Sequence, residues 1–328
     1  MNLNFLMVNF YQLLFNKKIY LIKPTQLRVE PFKIIIYEFR IDIVIDIEID
    51  FCSFAPMINI ENITDKVYRK LAIQVATNGL SFCCFDTLNN TVKTIKTVNF
   101  NTFDTSIKTE NLFADAFRNN IELTSKYDEI VVIHNNNLST FVPTALFDDE
   151  YLGSYLQYNT KVFETDFFAF DSIEKYEIKN VFIPYVNINN FFIDQFGSFN
   201  YKHANSILVE KLLDLSKNND DKKMFVHISN SHFEIIVVQN QKLLLFNTFD
   251  YKTPEDFIYY ILFTAEQLNL NPENFKLELI GNIKENDEYF KIAYKYIRNV
   301  SLIDVNDLRW NNYFTEAENR QHFILFNS

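Results

Sequence analysis

Glycine is almost missing from this chain. Four positions carry it, Gly79, Gly153, Gly197 and Gly281, where average usage of ~7 % would give about 23. Loops that wrap a phosphate need residues without a Cβ, so that backbone N–H groups can close on the anion at positive φ. No two of these glycines stand close enough for a GxGxxG or GxxxxGK[ST] loop. Cysteine is equally sparse. Cys52, Cys83 and Cys84 allow no multi-bridge framework, the adjacent pair points to opposite faces of a strand, and a reducing cytoplasm fits best. Positive charge is short too. Lys and Arg number 31 against 42 Asp and Glu, a net charge of −11, so the surface repels nucleic acid and anionic lipid. Long apolar runs are absent: the opening "MNLNFLMVNFYQLLFNKK" is broken by Asn and Gln, and neither a signal peptide nor membrane insertion is expected.

What is abundant is core-forming material. The 328 residues are 48 % hydrophobic and include 35 Phe and 18 Tyr, enough for one large or two medium domains. Residues 1–56 read differently. Around "IDIVIDIEID", 41–50, Ile alternates with acid, the pattern of an edge strand or of low-complexity sequence. Met57 offers an alternative start, and residues 1–56 are expected to be a disordered or non-native extension.

From residue 65 the chain repeats itself. Placing residue 71 on residue 224 sets "LAIQVATNGLSFCCFD" on "MFVHISNSHFEIIVVQ", and each reads as strand, polar turn, strand. A third strand follows in each copy (91–100; 242–251), then a helix ("TENLFADAFRNNIEL"; "TPEDFIYYILFTAEQLNL") and a fourth strand (129–135; 276–282). Thr253 is a cap, Pro254 suits the first helical position, and Glu255 and Asp256 suit the positive helix end. A second helix and fifth strand are expected at 146–159 and "NVFIPYV" in the first copy, and at 286–298 and "VSLID" in the second. The domain reading is an extension over 1–56, a first half over 57–218 and a second over 219–328.

This duplicated β-β-β-α-β-α-β unit resembles the actin-like ATPase (ribonuclease H-like) superfamily, which implies a mixed α/β fold of two halves around a cleft. More closely, "LSFCCFDTLNNTV", "FVPTALFDDEYLGSYLQYN" and "FNTFDYKTPEDFIYYILFTAEQLNLNP" are similar to a domain-of-unknown-function family of Bacteroidota with that fold. The resemblance covers roughly 65–305 and carries no function by itself. In active superfamily members the hairpin between the first two strands of each half holds an Asp followed by glycine and hydroxyl residues, for metal and phosphate. Here the hairpins read Thr77, Asn78, Gly79 and Ser229, Asn230, Ser231, with no acid in either, and the adenosine loop keeps one glycine in Gly281 and Asn282. These three stretches are the vestigial site, and with no carboxylate to seat Mg²⁺ no cofactor is expected.

Other residues have cheaper explanations. His227 and His232 flank one hairpin but bring no third metal ligand, and Asp148, Asp149 and Glu150 precede a helix they would cap. The aromatic stretch 187–201 offers a sticky surface, but Phe191, Phe192 and Phe196 at near-helical spacing read first as core. The reading is a non-catalytic actin-like adaptor or scaffold for an unidentified protein partner. The alternative is an ATP-binding enzyme, ATPase or kinase, with an atypical metal site built from Asp86, Asp166 or Asp171.

Overall fold

The computed structural model describes residues 66–100, 108–218, 220–230, 232–306 and 309–328. The expectations for residues 1–56 and for Ser231 therefore lie outside the described residues.

The first half opens with β1 (Arg69–Ala76), β2 (Gly79–Asp86) and β3 (Thr91–Asn99), continues with α1 (Thr109–Asn119) and returns through β4 (Glu129–His134). The second half repeats this with β9 (Lys223–Ile228), β10 (His232–Gln239), β11 (Lys242–Asp250), α5 (Pro254–Gln267) and β12 (Lys276–Gly281). It ends in α6 (Glu288–Tyr296) and β13 (Asn299–Leu302), as the sequence predicts. Thr253 caps α5 in a reciprocal box with Asp256, and Pro254 opens the helix, which satisfies N–H groups that otherwise have no partner in the first turn.

The two five-stranded sheets share one topology. The first runs β3-β2-β1-β4-β8 and the second β11-β10-β9-β12-β13, where β8 is Asn200–His203. In each, the first two strands pair antiparallel and the first and fourth pair parallel. The duplication extends to single bonds. Asn135 donates its backbone N–H to Val75 O at 2.9 Å, and Asn282 makes the matching bond to Ile228 O at 3.0 Å. Lys70 and Lys223, at matching places in the central strands, pair with Glu129 and Glu278.

The end of the first half departs from expectation. Residues 146–159 form only a short helix, α2 (Leu152–Leu156), and "NVFIPYV" lies in β7 (Ile178–Phe182) and the turn after it. That strand is the centre of a separate sheet, β5-β7-β6, with β5 at Ser139–Pro143 and β6 at Ala169–Ile173. The true second helix is α3 (Val186–Phe196), followed by β8. The physical reason is that "NVF" is apolar enough to read as a buried strand of any sheet, while β8, "NYKH", is a short, mostly exposed edge with no apolar alternation. The aromatics at 191–196 pack as core: Phe192 is fully buried, and Phe191 and Phe196 lie against the same cluster.

Three apolar layers follow from strand alternation. Leu71, Ile73, Phe82 and Cys84 face α1 and α3. Met224, Val226, Ile235 and Val237 face α5 and α6. Between the sheets, Ala72, Cys83 and Phe85 of the first meet Phe225, Ile236 and Val238 of the second, around helix α4 (Ala204–Leu215). Cys83 and Cys84 thus fall on opposite faces, as a strand requires. The chain then returns to the first sheet. Trp310 packs on Phe85 with ring centroids 4.5 Å apart, Val92 N donates to Asn311 O, and α7 (Glu316–Gln321) and α8 (Phe323–Phe326) complete the shared layer.

Candidate functional site: the hairpins and the buried histidine cluster

The two hairpins and the loop of Gly281 and Asn282 sit at the strand ends, where several of their polar atoms are bonded within the protein. In the first hairpin Thr77 and Asn78 form the turn and are exposed, and Asn78 O accepts from Phe100 N at 2.8 Å. Gly79 is not in the turn but opens β2. Glycine is required there because a Cβ would stand 2.5 Å from Val98 O on the neighbouring strand, so close strand approach, not a ligand, explains it.

The second hairpin is closed more thoroughly. Ser229 N donates to His232 O, Ser229 O accepts from the Tyr251 hydroxyl at 2.8 Å, and Asn230 Oδ1 accepts from Asn282 Nδ2 at 3.2 Å. Gly281 has φ +91°, and a Cβ would lie 2.4 Å from Ile228 O. The loop of Gly281 and Asn282 is therefore folded onto the hairpin beside it, and its one glycine is explained by that contact.

The three acids of the alternative metal site lie on separate elements, each with its own partners. Asp86, at the far end of β2, accepts from Leu88 N and Asn89 N and pairs with Lys93. Asp166 accepts from Phe163 N. Asp171 on β6 accepts from His203 N and Ser206 Oγ, and burial pushes its carboxyl up although those hydrogen bonds oppose the shift. Among the described residues no group of three or more His, Cys, Asp or Glu side chains is placed to hold a metal ion. Asp148 caps a short turn through Glu150 N, as expected of a capping residue.

Beside the hairpins lies a buried polar cluster that the sequence reading only half identified. Glu234, 1 % exposed, bridges His227 Nδ1 at 2.8 Å and His232 Nε2 at 3.2 Å. Burial alone would raise this carboxyl, but the two imidazoles outweigh it and bring it down to about 2. His232 moves the other way: burial works against its charge, and Glu234 overcomes this and raises it. Across the interface the negative charge of Glu234 reaches His203, so the two halves meet electrostatically here.

His203 and His134 are neutral members of this region. His203 Nδ1 accepts from Asn205 N, leaving Nε2–H to donate to Asn136 Oδ1 at 3.2 Å. His134 Nδ1 accepts from Tyr185 N, and its Nε2–H donates to Asn189 Oδ1 at 2.9 Å. Each ring uses one nitrogen as acceptor, which only the neutral tautomer can do. Burial brings His134 down to about 4, and burial with the neighbouring His134 brings His203 to about 3. Sequence reasoning passed over Glu234, Asn136 and His203 as site residues. The signal for Glu234 was present: His232, Glu234, Ile236 and Val238 alternate onto one face of β10, which places a carboxylate on an apolar inner surface.

Comparisons with known proteins agree with this architecture. The chain is similar to a Bacteroides thetaiotaomicron protein described as having an actin-like ATPase fold and unknown function, at 22 % identity over 74 % of this chain and 93 % of that one, with a TM-score of 0.66. Weaker likenesses run to a chain of a PilM-PilN type IV pilus biogenesis complex (10 % identity, 78 % of this chain and 96 % of that one, TM-score 0.46). Another is the ethanolamine utilization protein EutJ from Carboxydothermus hydrogenoformans (9 %, 79 % and 89 %, 0.39). No curated protein matches the chain in sequence. Among the described residues no helix is long and apolar enough to cross a membrane. The model of one family, protein of unknown function (DUF3822), matches residues 59–300, and with its duplicated actin-like fold the chain belongs to that family.

Proposed function

We propose that the protein is a non-catalytic actin-like adaptor, whose halves, residues 57–218 and 219–328, form a rigid platform for another protein. One observation carries the reading: both glycines of the vestigial site, Gly79 and Gly281, are accounted for by backbone packing against Val98 and Ile228. Neither is left over to cradle an anion. With no hairpin carboxylate to seat a metal, a triphosphate would bring its charge into an acidic protein without compensation.

The segment between α2 and β6 supplies a surface suited to a partner. Tyr158 is 85 % exposed, and Phe163 and Phe167 are more than half exposed. Large aromatics held out in water in one stretch mark an interaction face. Titration of the full chain with ATP and Mg²⁺ is expected to give no saturable heat. A protein partner is expected to lose binding when Tyr158 and Phe167 are both changed to Ser. Saturable ATP binding, or hydrolysis, would overturn the reading.

A further inference from the structure

Among the described residues the second sheet ends in an edge that no further strand covers, and a groove runs along it. Among the described residues β13 pairs with β12 alone. The bond from Ile303 N to Leu279 O continues that ladder. Because successive residues of a strand turn their N–H and C=O to opposite sides, Asn299, Ser301 and Ile303 serve β12, and Val300 and Leu302 turn theirs outward. Unpaired edge groups of this kind are a template for another strand.

The groove beside this edge has a volume of about 630 Å³ and is lined by Val300, Leu302 and Phe290 together with Lys284 and Arg320, a size ordinary for a binding site. Arg320, on α7, is the unusual member. It is 8 % exposed, and among the described residues its one ion pair is a 3.2 Å contact from Nη1 to the largely exposed Glu316 and its buried Nε has no hydrogen-bond partner. A buried guanidinium donor left without a partner is destabilising. Lys284, at the same groove, has no ion pair among the described residues. The acids Glu285, Asp304 and Glu316 also line the groove, and of these Glu316 pairs with Arg320.

We propose that this groove binds an extended peptide segment of a partner protein, which adds to β13 as a sixth strand and sets a carboxylate side chain on Arg320. The inference rests on the adaptor reading and assigns it a second contact point, away from the aromatic face. The outward N–H and C=O of Val300 and Leu302 supply the ladder, Phe290 with the flanking apolar side chains receives alternate apolar residues, and the Arg320 guanidinium with Lys284 selects the acid. A carboxylate matches the guanidinium fork where a neutral side chain does not.

The test is selection of displayed random decapeptides on the full chain, followed by affinity measurement against Val300→Pro and Arg320→Gln. Proline at 300 removes an outward N–H, a loss an edge strand tolerates, and thermal melting checks that both variants fold. Selected peptides are expected to alternate apolar and acidic residues and to lose at least about tenfold in affinity against each variant. Unchanged affinity against either variant, or no enrichment over the double variant, would overturn the proposal. A partner that depends on Tyr158 and Phe167 but ignores Val300 and Arg320 would sink this inference and leave the adaptor reading standing. Saturable ATP binding alongside intact groove binding would do the reverse.

Discussion

The carboxylate of Glu234 accepts from Nδ1 of His227 at 2.8 Å across the β9–β10 ladder, with both side chains buried between the two sheets. The ionised carboxylate obliges the imidazole nitrogen to be the donor, and a second imidazole, His232, holds the other oxygen. In this fold the space beside the hairpin is thus occupied by the protein's own charges.

Removing the bridging charge should be costly. Glu234→Gln is expected to destabilise the protein by roughly 3–5 kcal/mol, since it leaves buried imidazoles without their counter-charge. Denaturant unfolding of the variant checks this. A loss below about 1 kcal/mol would mean that the bridge is immaterial.

The buried histidines predict acid lability. His134 and His203 have folded values near 4 and 3, below the ordinary 6.5, so the unfolded chain binds protons first and stability falls as pH drops from about 6.5 toward 3. Glu234, held at about 2, contributes stability that is full above its ordinary 4.5 and is lost as pH falls from there through about 2. His232, raised above its ordinary value, contributes stability that is complete below pH 6.5 and fades as pH rises through its folded value. The melting temperature should therefore peak near neutrality, and His134→Gln should flatten the slope between pH 6.5 and 4.

Gly281→Ala tests what its glycine is for. The new Cβ would meet Ile228 O at 2.4 Å at a φ of +91°, so a loss of more than about 1 kcal/mol is expected. The loss should be the same with and without Mg-ATP. A variant as stable as the parent would mean that the loop relaxes freely.

Trp310→Ala should show how firmly the C-terminal segment holds the first sheet. Trp310 is 3 % exposed and lies on Phe85, and truncating a buried aromatic of this kind costs about 3–5 kcal/mol. Calorimetric melting of the variant is the measurement. A change under about 1 kcal/mol would show that residues 310–328 are peripheral to the shared layer.

Residue pattern was enough to read the second half almost element by element, because its strands alternate or run apolar and its helix α5 is capped by Thr253 and opened by Pro254. It was enough in the first half as far as β4. It misplaced the fifth strand because pairing, not local pattern, decides which sheet an apolar segment joins. "NVF" found antiparallel partners in β5 and β6, and the polar edge "NYKH" took the vacant place beside β4.

The candidate site divides along the same line. That both hairpins lack a carboxylate and that glycine is too scarce for a phosphate cradle are matters of residue identity, legible before any fold is known. What fills the place instead depends on packing between distant segments. His203 follows the inserted sheet and Glu234 stands on the second central hairpin, far apart in the chain, and the packing of two duplicated sheets brings the charge of one to bear on the other. That is long-range geometry, and it depends on which strand ends and which helix the shared core draws together, which no local spacing encodes.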